Sequence, residues 1–176
     1  MGGARSALAR LQFLAAQGHE VSILSFLPED RDPELYVEEL ATCGGEGIRG
    51  EGSVCRAVFR GVSYRHEVLP VDPGGLLTRP RPAVGAVQRC LREEGVEFVL
   101  TSDEAYWALL ASCQLRLPGA HFFQALPGVE RFARNPGYVW LLRRRVTVAN
   151  SRFVAAAIRA RLGLDAAVWY PRVDLQ

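Results

Sequence analysis

The residues best equipped for chemistry in this sequence stand at the ends of short apolar runs. Ser102-Asp103 follows Phe98-Val-Leu-Thr101, Gln124 closes Ala120-His-Phe-Phe-Gln124, and Asn150-Ser151 follows Val146-Thr-Val-Ala149. A carboxylate so placed can accept a proton, whereas an amide can only exchange hydrogen bonds. Asn and Ser before a helix satisfy its orphan N–H groups, and the same helix end can line a cleft. Asp103 and Glu104 are adjacent, but chain neighbours need not converge, so they are not an acid/base pair by sequence alone. Asp103 is the better candidate because it ends a strand. Gly2-Gly3 opens the first helical pattern, where glycine would let a phosphate approach unbonded N–H groups and the positive helix end. A flexible chain start accounts for the same two residues.

Other chemistries are excluded or weak. All 21 basic residues are arginine, so no lysine Schiff base and no Walker lysine exists. The arginines are spread along the whole chain, which fits a compositional bias better than a dedicated phosphate site. A net charge of +2 does not indicate a nucleic-acid partner. Cys43, Cys55, Cys90 and Cys113 form no C-x-x-C pair, and His19, His66 and His121 form no metal-ligand cluster. Cys90 and Cys113 fall in apolar helical stretches and read as core thiols. No signal peptide is visible, and no apolar run approaches the ~20 residues needed to span a bilayer. These features together predict a reduced, cytoplasmic setting. Arg143-Arg144-Arg145 reads first as a solvated basic face. Its second reading is a peripheral contact with an anionic lipid head group or a phosphorylated acceptor.

Short strands must hold these positions. The spacing predicts a helix from about Gly3 to Gln17, stopped by Gly18, and a strand over Val21–Phe26. A short helix is expected over Pro33–Ala41 and a loop over the glycine-rich Gly44–Gly52. Val54–Phe59 and Val62–Val71 read as a hairpin turning at Arg60-Gly61. Ala83, Ala86, Val87, Cys90 and Leu91 form the buried stripe of a helix over Pro82–Glu94. Helices are also expected over Glu104–Leu115, Tyr138–Arg144 and Arg152–Leu162, the last with Val154, Ala157, Ile158 and Arg161 on one stripe. Ala167–Tyr170 is a final strand. Apolar strands alternating with amphipathic helices predict an α/β fold: a Rossmann-like, mostly parallel sheet covered on both faces, with a β-hairpin insertion, in one domain over residues 1–176. In such sheets ligands bind at the carboxyl ends of the strands.

The two ends of the chain carry a resemblance. Val146-Thr-Val-Ala-Asn-Ser-Arg-Phe-Val154, Ile158-Arg-Ala-Arg-Leu-Gly163, Ala167-Val-Trp-Tyr-Pro171 and Val173-Asp174 resemble one stretch of the retaining, GT-B fold glycosyltransferases of family four. Gly2-Gly-Ala-x-x-Ser-Ala-Leu8 and Gly18-His-Glu-Val21 resemble that family's glycine turn, first helix and second strand. The resemblance implies the N-terminal, acceptor-side half of an enzyme that moves a sugar from a nucleotide-sugar donor, with a C-terminal donor domain supplied in cis or in trans. It implies that Gly2 and Gly3 approach the donor diphosphate, that Ser102, Asp103 and Gln124 line the acceptor side, and that Asn150, Ser151 and Arg152 stand at the cleft. Asp103 and Gln124 are the catalytic candidates. No metal and no cofactor beyond the nucleotide sugar are implied. The sequence departs from the pattern in three ways. The chain starts at the glycine turn rather than at the strand before it, and it ends at Asp174-Leu-Gln176, where the donor domain would begin. Gln124 holds the place where the family often has histidine, and His121 is expected to point elsewhere. A non-catalytic module that holds a glycan or lipid-linked acceptor is the alternative reading.

Overall fold

The computed structural model describes residues 10–28, 41–42, 45–51, 54–59, 61–69, 81–102 and 106–170. The chain divides into two compact units, with the boundary between residues 83 and 84.

The first unit contains a helix, α1, described over residues 10–16, and a four-stranded sheet. The strands are β1 (Ser22–Pro28), β2 (Glu46–Glu51), β3 (Val54–Phe59) and β4 (Val62–Leu69), in the order β1-β4-β3-β2. Helix α1 ends as the sequence predicts. Gly18 takes a left-handed φ of 89°, its N–H bonds Ala15 O at 3.0 Å, and the His19 N–H reaches Leu14 O at 3.3 Å. This paired C-terminal closure needs a residue without a Cβ penalty. Strand β1 pairs with β4 in parallel, whereas β4, β3 and β2 are antiparallel. The expected hairpin is present, with Phe59 opposite Val62 and Gly61 at a φ of 82°.

The glycine-rich stretch read as loop is instead an edge strand, β2. Its backbone pairs with β3 through Glu46–Val58 and Gly50–Cys55, with a bulge between Glu46 and Arg49 where Gly47 adopts a φ of 59°. A partner on one side suffices to make a strand here, and a bulged edge tolerates glycine that a central strand would not. Of the short helix expected over residues 33–41, only Ala41 is described, and it is helical.

The second unit is a four-stranded, wholly parallel sheet with helices. Its elements are α2 (Arg81–Glu93), β5 (Val99–Ser102), α3 (Tyr106–Gln114), β6 (Gly119–Phe123), α4 (Leu126–Ala133), α5 (Pro136–Leu142), β7 (Val146–Ala149), α6 (Arg152–Leu162) and β8 (Ala167–Val168), with strand order β5-β6-β7-β8. Every residue of β6 is buried, as a central parallel strand requires. Alternation along β6 sends His121 and Phe123 to one face and Ala120 and Phe122 to the other. On the first face Phe123 joins Leu109 of α3, Phe132 of α4, Leu142 of α5 and Ile158 of α6 in one core. On the second face Ala120, Phe122 and Val148 pack with Trp169.

The predicted stripe of α2 is buried throughout, and Cys90 is fully enclosed. The stripe of α6 is Val154, Ile158 and Leu162, a strict i, i+4, i+8 row, and Arg161 is exposed rather than part of it. Helix α4 was not anticipated. It has only eight residues, and its N-cap Ala125 supplies no side-chain hydrogen bond, so neither periodicity nor a cap announces it. The α/β class with a Rossmann-like parallel sheet stands as read.

Candidate functional site

Because β5, β6 and β7 are parallel and in register, with Ser102 beside Phe122 and Phe123 beside Ala149, their carboxyl ends form one rim. The residues that follow them are those the sequence singled out. Ser102 ends β5 and is exposed, Gln124 follows β6, and Asn150 and Ser151 follow β7. Gly2, Gly3, Asp103 and Glu104 lie outside the described residues.

Asn150 ties two strand ends together. Its N–H donates to Phe123 O at 3.2 Å, and its Nδ2 donates to the Gln124 carbonyl. The acceptor fixes which way the amide points, because a carbonyl can only accept. Asn150 Oδ1 is then left enclosed, with no hydrogen-bond partner among the described residues. The Trp169 N–H, donating to Ala149 O at 2.8 Å, closes the other side of the same strand end. Asn150 is thus a brace of the rim rather than the helix cap.

Capping falls to Ser151 alone. Its backbone is extended (φ −159°, ψ 160°), its Oγ accepts the Val154 N–H at 3.2 Å, and its carbonyl accepts the Ala155 N–H at 3.0 Å. Arg152 begins α6 and is exposed. Its side chain lines a shallow groove along that helix with Ala156, Arg159, Asp165 and Val168. Arg159 donates to Asp165 Oδ1 from Nε at 2.9 Å and again from Nη2. Neither Arg159 nor Asp165 stands out in the sequence. Their only signal was a six-residue spacing across the left-handed Gly163 that folds the chain back.

His121 is not a rim residue. It is fully buried among the Phe123 and Phe132 rings, at centroid separations of 4.6 and 4.8 Å. Its Nδ1 lies 2.7 Å from Thr101 Oγ1 on the neighbouring strand. The expectation that His121 points away from the site holds.

Among the described residues the rim therefore offers two hydroxyls, side-chain amides, backbone groups and a helix amino end, but no carboxylate, imidazole or thiol. Such a set hydrogen-bonds a hydroxyl-rich ligand and does not by itself transfer protons. No group of three His, Cys, Asp or Glu that could hold a metal occurs among the described residues.

The model of Glycosyltransferase Family 4 matches residues 1–176. The chain belongs to glycosyltransferase family 4. No curated protein matches it at a significant level. The parallel sheet of this family-4 chain is that of a Rossmann-like GT-B half, specifically the N-terminal one. No helix among the described residues of this family-4 domain is long and apolar enough to cross a membrane.

Proposed function

We propose that this chain is the acceptor-side domain of a nucleotide-sugar-dependent hexosyltransferase that acts with retention of configuration. Catalysis in this reading needs a donor-binding domain, in cis or in trans, facing the rim of the second unit. The observation that supports it most directly is the rim itself: in a family-4 chain, Ser102, Gln124 and Asn150 stand at the ends of three adjacent parallel strands, the end at which such sheets bind ligands. Ser102, Asp103 and Gln124 would face the acceptor hydroxyls, with Asn150, Ser151 and Arg152 at the cleft and Gly2-Gly3 approaching the donor diphosphate. Helix ends and basic side chains would balance the diphosphate charge without a metal. With Gln in place of the family's frequent histidine, that position orients a hydroxyl and leaves proton acceptance to Asp103 or to the donor side. The setting proposed is cytoplasmic, in keeping with the thiol state of Cys55, Cys90 and Cys113.

Incubation of the isolated chain with nucleotide sugars tests the assignment. The expected result is neither turnover nor tight nucleotide binding, while a hydroxyl-rich acceptor slows amide exchange at the ends of β5, β6 and β7. Tight nucleotide binding by the chain alone would overturn the division of labour. Acceptor protection that never leads to turnover, even with a donor domain added, would favour a non-catalytic glycan-binding module. Gln124, which can hydrogen-bond a hydroxyl but accept no proton, is the observation on that side.

A further inference from the structure

The opposite rim of the same parallel sheet carries a different surface. There the strands begin, and the chain enters β7 from α5 through Arg143-Arg144-Arg145. The three arginines are not equivalent. Arg145 turns inward, where Nη1 donates to the Leu117 carbonyl just before β6 and Nη2 donates to Ser112 Oγ at 3.1 Å. Arg143 and Arg144 are exposed. The Arg144 guanidinium stacks 3.8 Å from the centroid of the Trp140 ring, and Trp140 itself is 52% exposed. Val146, the first residue of β7, is 58% exposed.

Half an indole and most of a valine left in water beside two cationic heads make an amphipathic point. Charge complementarity indicates what covers it. The segment 126–150 that carries the turn has five arginines and a single acid, Glu130, so it is cationic in a protein of net charge +2. The patch is four side chains wide, well short of the roughly 800 Å² per partner of a standard protein interface. It does suit a bilayer surface, where an indole sits at head-group depth, guanidinium groups meet phosphates and an aliphatic side chain reaches below.

We propose that the turn between α5 and β7 docks on an anionic lipid surface, with Trp140 and Val146 entering the head-group layer and Arg143 and Arg144 contacting lipid phosphates. Strand β7 separates this turn from Asn150, so docking leaves the carboxyl rim uncovered. The proposal does not depend on the glycosyltransferase reading.

Co-sedimentation of the full chain with phosphatidylcholine vesicles, with and without phosphatidylglycerol, tests it. Binding is expected only with the anionic lipid and should weaken with added salt. The double variant R143Q/R144Q should bind roughly 30-fold more weakly, the loss expected for two charges at an anionic surface. R49Q/R56Q removes two charges from β2 and β3 and should bind as the parent does. Brominated lipid should quench tryptophan fluorescence in the parent but not in Trp140→Phe, while circular dichroism confirms that each variant is folded. Equal binding to neutral vesicles, equal losses in both double variants, quenching that persists in Trp140→Phe, or capture by soluble polyglutamate with no vesicle binding would each overturn the proposal.

Discussion

Glu67 and Arg65 stand two apart on β4 and so share a face, where Arg65 Nη2 meets Glu67 Oε2 at 3.3 Å with both side chains only 8% exposed. A buried pair of this kind is costly to assemble, and losing one partner costs more than replacing both by apolar side chains of similar size. Glu67→Ala should therefore lower unfolding stability by about 3 kcal/mol, whereas R65M/E67L should lose much less. Urea denaturation of the two variants checks the order, and a double variant worse than the single one would refute it. Ser151 tests a smaller effect at the site. Its Oγ satisfies one N–H at the start of α6, so Ser151→Ala should cost about 1 kcal/mol and Ser151→Asp should retain most of that. If Ser151 also touches an acceptor, Ser151→Ala will weaken acceptor binding where Ser151→Asp preserves the fold but changes the charge.

At the scale of elements, two backbone features of the second unit make opposite predictions. Helix α3 closes as α1 does, with the Arg116 N–H on Cys113 O at 3.1 Å and the Leu117 N–H on Ser112 O at 3.1 Å. The residue at the left-handed position is here an arginine with a φ of 57°. Arg116→Gly removes the Cβ conflict and should raise stability by about 1 kcal/mol, read as a higher melting temperature. Gly119 behaves in the contrary sense. A Cβ there would stand 2.3 Å from the Val99 carbonyl oxygen, so Gly119→Ala must push β5 from β6 and should cost about 2 kcal/mol. Those two positions also show what was legible. Gly18, Gly95 and Gly163 announce their helix ends because glycine is the usual residue there, and all three are left-handed. Arg116 gave no such notice, since tertiary ties at the same turn, from Arg145 to the Leu117 carbonyl and Ser112, hold it. Strands β6 and β7 were readable because burial on both faces demands continuous apolar runs. Strand β2 was not, since an edge carries no such demand. The rim positions Ser102, Gln124, Asn150 and Ser151 followed directly from the strand ends, but the division between Asn150 as brace and Ser151 as cap required coordinates.

The chain as a whole titrates in a way that its fold makes specific. Burial pushes the Cys55 thiol up in the first unit and the Tyr138 phenol up in the second. Both groups are neutral at neutral pH, so burial costs no charge there, and their contribution to stability is complete below their unfolded values. Those values are about 8.5 for the thiol and about 10 for the phenol. As pH rises past them the unfolded chain loses these protons before the folded chain does. The unfolded state then binds fewer protons, and stability falls with rising pH. Unfolding free energy should accordingly decline above about pH 8.5, first through Cys55 and then through Tyr138. Cys55→Ala should start lower, because it removes a buried side chain that is 4% exposed, yet lose less between about pH 8 and pH 10. The sequence pI of about 8.5 lies at the foot of this range, where a near-zero net charge favours association. Turbidity would thus mimic instability, and the measurement must be reversible denaturant unfolding at several protein concentrations. A parent chain whose unfolding free energy rises above neutral pH, or a Cys55→Ala variant with the parent's slope, would show that burial of these two groups does not govern its alkaline stability.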